Sequence, residues 1–101
     1  MGLVDLVAGR PHATPHAEAL AHAEQGVTVY WRPGCPFCAR LRMSVRGDRE
    51  QARWVNIWED DDGRAYVASV NDGNETVPTV VIDGVPHTNP DPSLVRTALR
   101  R

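Results

Sequence analysis

The chain has 101 residues, with eleven arginines, no lysine and thirteen acidic side chains, for a formal charge of −2. A chain this short buries only about 65% of what it exposes when unfolded, which excludes a two-domain enzyme, a long coiled coil or a solenoid. The near-neutral balance excludes a nucleic-acid binder that works by neutralising phosphates, and the 42% apolar content suits a folded globular chain rather than a disordered one.

Residues 1–25 read as an N-terminal extension. Met1 to Arg10 shows neither a basic leader nor a sustained apolar core, so no secretory signal is expected. No segment approaches the ~18–20 consecutive apolar residues needed to cross a bilayer. The expected compartment is the cytoplasm, where structural disulfides are rare. Ala17, Ala19, Ala21 and Ala23 favour a short helix within His16 to Gln25, which Gly26 can end. That helix has little large apolar surface, so the extension is expected to be loosely attached. Pro15 interrupts the spacing of His12 and His16, and these two with His22 are read as a solvated tail rather than a metal site.

The compact domain is expected over residues 26–101. Val27-Thr28-Val29-Tyr30-Trp31 is β-branched and aromatic, the pattern of a buried strand. Arg32-Pro33-Gly34 turns the chain, and Pro36 can open a helix because its missing N–H is unpaired there anyway. Phe37, Cys38, Leu41 and Val45 recur on one face, Arg40, Arg42 and Arg46 fall mostly elsewhere, and Gly47 is a natural stop. Arg53 to Ile57 reads as a second strand. Asp60, Asp61 and Asp62 complement the positive end of a helix that runs to Val70 and ends at Asn71 to Asn74. Glu59 to Asp62 is expected to be a solvated helix start. Thr79 to Ile82 is the third strand, and Asp83-Gly84 signals a two-residue hairpin returning through Val85 to Thr88. Asp91 or Ser93 caps a last helix, with Leu94, Val95 and Leu99 as its apolar contacts. The order β-α-β-α-β-β-α makes the first two strands parallel with a right-handed crossover. Trp31, Trp54 and Trp58 are expected to pack.

The two cysteines are Cys35 and Cys38. They follow a buried strand and fall at a helix start, which matters more than the spacing. Unpaired N–H groups and the helix dipole favour a thiolate at that position. Cys35 is expected at the N-cap and partly exposed, with Cys38 one turn on and facing inward. The sulfurs are then close enough to join with modest rearrangement. For a thiol whose pKa falls by about 3.5 units, the gain in thiolate fraction and the loss of intrinsic nucleophilicity nearly cancel, whereas leaving ability gains outright. Such a site suits a shuttle that must release its partner quickly. A structural zinc would need two further protein ligands, and His87 is the only histidine inside the domain. No metal is therefore expected. An inert pair and a cluster shared between two chains are the other readings.

Thr76-Val77-Pro78-Thr79 carries the second signal. A proline opening a strand is ordinary, and a cis X–Pro bond has a base rate of only ~5–6%. Joined to Cys-x-x-Cys upstream in this element order, it becomes specific.

From Val27 onward the chain resembles the glutaredoxins, a family of the thioredoxin fold. The resemblance rests on Arg32 to Cys38 (R-P-G-C-P-F-C), on Thr76-Val77-Pro78 and on Asp83-Gly84. Val70 to Val80 with Thr88-Asn89-Pro90 is most similar to the mycoredoxin branch, which uses mycothiol in place of glutathione. The resemblance implies an α/β thioredoxin fold: a four-stranded mixed sheet of order 2-1-3-4 with helices on both faces. It implies a cis Pro78 facing the cysteines, and a Val77 backbone that pairs with an extended thiol substrate. It also implies Cys35 as nucleophile and Cys38 as resolving or regulatory thiol.

His87 to Asp91 lacks the Gly pair with which glutaredoxins hold glutathione, and its Asn and Asp suit the sugar-like hydroxyls of mycothiol. Pro36-Phe37, Arg32 and residues 1–25 depart from the usual mycoredoxin pattern. The expected activity is reduction of protein mixed disulfides with a low-molecular-weight thiol. Mycothiol, or failing it glutathione, is the co-substrate, with no tightly bound cofactor. Arg32, Phe37, Thr76, Val77, Pro78, Asn89 and Asp91 are the candidate substrate contacts. Partners are the small thiol and thiolated or disulfide-bearing client proteins, with no nucleic acid and no membrane, and the protein is expected to be a monomer. The alternatives are a redoxin reduced by a thioredoxin-reductase-type flavoenzyme and a non-enzymatic iron–sulfur cluster carrier.

Overall fold

The computed structural model describes residues 12–101. The part of the expected extension at 1–11 lies outside the described residues. In chain order the elements are α1 (His16–Ala21), β1 (Val27–Trp31), α2 (Pro36–Ser44), a 3₁₀ turn (Arg49–Gln51), β2 (Arg53–Asn56), α3 (Asp61–Val70), β3 (Thr79–Ile82), β4 (Val85–Thr88) and α4 (Pro92–Leu99). The four strands form one sheet of order β2-β1-β3-β4. β1 pairs in parallel with β2, Val29 opposite Trp54, and antiparallel with β3, Val29 opposite Val80. The domain is thus the expected thioredoxin fold. Among the described residues, no helix is long and apolar enough to cross a membrane.

β1 is buried along its whole length because it lies inside the sheet with helices on either face. Alternation along a strand sends successive side chains to opposite faces. Trp31 therefore meets α2, where it lies against Arg42, and Tyr30 meets α1 and α3, where it lies against His16 and Tyr66. α2 and α4 pack together, as do α1 and α3. The hairpin is the one expected: Ile82 pairs with Val85, and Asp83 and Gly84 have φ of 49° and 87°, the double positive of a type I′ turn. Gly63 marks a close approach of α3 to the sheet, since a Cβ there would stand 2.8 Å from Val55 Cγ1.

The extension departs from its expectation. Residues 14–21 are docked rather than loosely attached. The Thr14 N–H donates to the Trp54 carbonyl at 2.7 Å, so the chain pairs with the outer edge of β2 and covers it. His16 is buried, not part of a solvated tail. Its Nδ1 is 2.9 Å from the Tyr30 hydroxyl, and its ring centroid lies 5.7 Å from that of Tyr30 and 5.5 Å from that of Tyr66. The attachment is made by an aromatic and polar cluster, which a search for large aliphatic residues overlooks. Leu94 also departs: it is exposed, and Val95 supplies the buried contact of α4.

Asp60 is not merely a solvated helix start, for it joins two helices. Its Oδ1 accepts from the Gly63 N–H at 2.9 Å, capping α3, and its Oδ2 accepts from the His16 N–H at 2.8 Å, capping α1 from outside that helix. Partial burial opposes ionisation, but the His16 and Gly63 N–H groups outweigh it and hold the carboxyl below the usual carboxylate range. Asp60→Ala is expected to lower the unfolding free energy at neutral pH by about 2 kcal/mol, at roughly 1 for each cap. Because the folded pKa is the lower one, this contribution is complete above the ordinary value near 3.9 and disappears as pH falls through the folded value. In urea titrations the gap between wild type and variant is expected to be widest at neutral pH and to close in acid.

Candidate active site

The turn Arg32-Pro33-Gly34 delivers Cys35 to the end of β1 and the start of α2. Cys35 is the N-cap residue of α2, with extended backbone (φ −87°, ψ 115°), and Pro36 occupies the first helical position. The Cys38 N–H donates to Cys35 Sγ at 3.3 Å, the bond that a serine or aspartate oxygen makes in an ordinary cap. On its other side Cys35 Sγ faces the Val77 carbonyl at 3.7 Å, a contact across 42 residues of sequence. Both are free, buried cysteines.

The Val77–Pro78 bond is cis, as the resemblance implied. Pro78 is buried, and its carbonyl accepts from the Asn89 N–H at 2.8 Å, which ties the loop after β4 to the loop before β3. Asn89 takes up left-handed backbone (φ 43°) to make that return. The Thr76 carbonyl accepts from Thr79 Oγ1 at 2.7 Å. Asp91 caps α4 by accepting from the Ser93 N–H at 2.9 Å, and this bond holds its carboxyl below the usual range. The fold thus brings Cys35, Cys38 and Val77 together. It places Thr76, Pro78 and Asn89 on the supporting loops and gives Asp91 a capping role.

Cys35 is 3% exposed rather than partly open, because the Val77 loop closes over the N-cap. Phe37, grouped by spacing with Cys38, Leu41 and Val45 and also a candidate substrate contact, is 54% exposed. Trp31 and Trp54 are core residues as expected, but Trp58 is 62% exposed. It stands one residue past a buried Ile57, beyond the end of β2, so strand alternation no longer governs it. The Arg32 guanidinium carbon lies 6.0 Å from the Trp58 ring centroid. Trp58 is therefore a surface residue near the site that sequence reasoning assigned to packing.

The two sulfurs differ. Burial pushes the Cys38 thiol well above its ordinary pKa, and the hydrogen bond with the Cys35 side chain adds to this. The Arg32 backbone N–H and the Arg42 charge pull the other way without reversing it. Cys38 thus favours the protonated thiol.

A thioredoxin-type sheet carrying a Cys-x-x-Cys pair at a helix start, opposite a cis-proline loop, is the framework of a thiol–disulfide oxidoreductase. The family model for Glutaredoxin matches residues 27–87, and the chain belongs to that family. It is similar to Mycoredoxin 1 of Corynebacterium glutamicum, 38% identical over 65 residues that span 63% of this chain and 80% of the relative. It is also similar to a Mycobacterium tuberculosis protein named provisionally as a glutaredoxin, 36% identical over 74 residues, 72% of this chain and 88% of the relative. The protein is a glutaredoxin-like thiol–disulfide oxidoreductase.

The asymmetry of the pair has a direct readout. In the reduced protein, thiolate absorbance is expected to account for no more than one sulfur per chain up to roughly pH 9, where a free cysteine is already largely ionised. Substoichiometric iodoacetamide followed by peptide mass mapping is expected to find the label on Cys35. Label on Cys38 would reverse the assignment.

Proposed function

We propose that the protein reduces mixed disulfides between client proteins and a low-molecular-weight thiol, and that this thiol is mycothiol. The observation that carries the reading is the setting of Cys35: its sulfur takes an N–H of α2 and faces the Val77 carbonyl, with a protonated Cys38 one turn behind. Cys35 attacks the small-thiol sulfur of the client's mixed disulfide. The client sulfur leaves with the bonding electron pair and takes up a proton. Cys35 then holds the small thiol as a new mixed disulfide. A second molecule of that thiol attacks this adduct and frees Cys35, yielding the small-molecule disulfide. Alternatively Cys38 attacks Cys35, and the internal disulfide is later reduced by two small thiols.

Arg32 and Phe37 on the α2 side, with Thr76, Val77 and Pro78 opposite, are the proposed walls for the bound thiol. Asn89 and Asp91 lie on the loop where a glutathione-dependent relative carries its Gly pair. Their hydroxyl-compatible chemistry and the similarity to Mycoredoxin 1 support mycothiol over glutathione. The cytoplasm, whose reducing poise keeps such thiols free, is the proposed compartment, with the protein acting as a monomer.

Turnover of a mixed-disulfide client is expected to be faster with mycothiol and its recycling system than with glutathione and its own, and absent with thioredoxin reductase and NADPH. Cys35→Ser is expected to abolish turnover, while Cys38→Ser retains it through the one-thiol route. Preference for glutathione overturns the choice of thiol, and activity in Cys35→Ser overturns the assignment of the nucleophile.

A further inference from the structure

The inward stripe of α2 follows helical spacing through Cys38, Leu41, Arg42 and Val45, and all four are buried. Arg42 is 0% exposed. Arginine is almost never fully buried, and an arginine inside a hydrophobic stripe carries a large desolvation cost that an aliphatic side chain would avoid. Its guanidinium carbon lies 4.8 Å from the ring centroid of Trp31, the last residue of β1. A cation over an indole face is attracted by the ring quadrupole, most strongly when desolvated. Arg42 is thus held against the end of β1, four residues along α2 from Cys38, a spacing that puts two side chains on the same face.

We propose that Arg42 is a charged positioning residue for the thiol exchange: held against Trp31 one turn behind Cys38, it offsets the negative charge that Cys38 Sγ carries whenever it attacks or leaves. The proposal rests on the reading of Cys38 as the resolving thiol. The groups acting on Cys38 are the Cys35 side chain, the Arg32 backbone N–H and Arg42, and among them Arg42 brings the full positive charge. In the resolving step Cys38 gives its proton to water, and its sulfur forms a bond to Cys35 Sγ. The bond from Cys35 to the small thiol breaks, and that thiol leaves with the electron pair. Negative charge therefore passes through Cys38 in a nearly dry site, where an opposite charge counts for most.

Single-turnover reaction of the full, reduced chain with one equivalent of dithiobis(nitrobenzoate) separates the two sulfurs. Cys35 releases the first coloured thiolate as it forms the mixed disulfide, and Cys38 releases the second as it resolves it. An opposite charge at close range moves a thiol pKa by about 1–3 units. Each unit lowers the thiolate fraction tenfold and returns about threefold in nucleophilicity. Arg42→Met is therefore expected to slow the second phase about 4- to 40-fold while the first stays within about threefold. Arg42→Lys, which keeps the charge, is expected to restore the second phase to within about threefold of wild type.

A second phase of wild-type rate in Arg42→Met overturns the proposal. So does an Arg42→Lys protein as slow as Arg42→Met, because packing alone is then responsible. Should Arg42→Met not fold, Arg42→Gln carries the same expectation. A wild-type protein that shows the first phase and never the second overturns the resolving role of Cys38, and the proposal with it.

Discussion

The structure turns on the hydrogen bond from the Cys38 N–H to Cys35 Sγ. A helix start must satisfy its first amide groups, and a sulfur here takes the place of the oxygen that would ordinarily do so. One residue is thereby both a structural cap and a member of the Cys-x-x-Cys pair. The cap fixes where the sulfur sits, since β1 ends at Trp31, Pro36 is the first residue of α2, and only the short turn through Gly34 separates them. It also fixes what the sulfur faces, because the central position of β1 brings β3, and with it the Val77–Pro78 approach, alongside.

The two faces of the sheet serve this junction differently. On one, Arg42 of the cysteine helix places a cation against Trp31 within the core. On the other, Tyr30, Tyr66 and His16 form an aromatic cluster that seats α1, and Asp60 caps α1 and α3 together. Neighbouring residues of β1 thus reach one layer that carries the redox chemistry and another that closes the sheet. The segment before β1 is part of that closure: it pairs with the free edge of β2 and covers a face that α3 does not cover alone.

Membership of the glutaredoxin family accounts for the frame, and the stretch from Arg32 to Cys38 that carries the resemblance surrounds the sulfur. Phe37 and Trp58 expose large aromatic surfaces near a site whose cysteines are both buried, and Arg32 lies over the Trp58 ring.

Much of this was legible in the amino-acid sequence. Strand and helix positions, the parallel crossover, the type I′ hairpin at Asp83-Gly84 and the capping role of Cys35 follow from local rules. Periodicity, turn chemistry and helix-end preferences act over a few residues and need no knowledge of distant contacts. The cis bond at Pro78 and the sheet order were reached through family resemblance rather than local pattern. Other features depended on contacts that only the folded chain creates. Arg42 was expected mostly off the apolar face of Cys38, Leu41 and Val45, yet it is fully buried. Trp31, brought across by β1, is what receives it. His16 looked like tail because its partners Tyr30, Asp60 and Tyr66 lie 14 or more residues away. Trp58 looked like core until the end of β2 removed the alternation that would have turned it inward. Cys35 was placed correctly along the chain but not in its exposure, because the cover comes from Val77 across the sheet. Burial is a property of what packs against a residue, and for these side chains that is decided by segments remote in sequence.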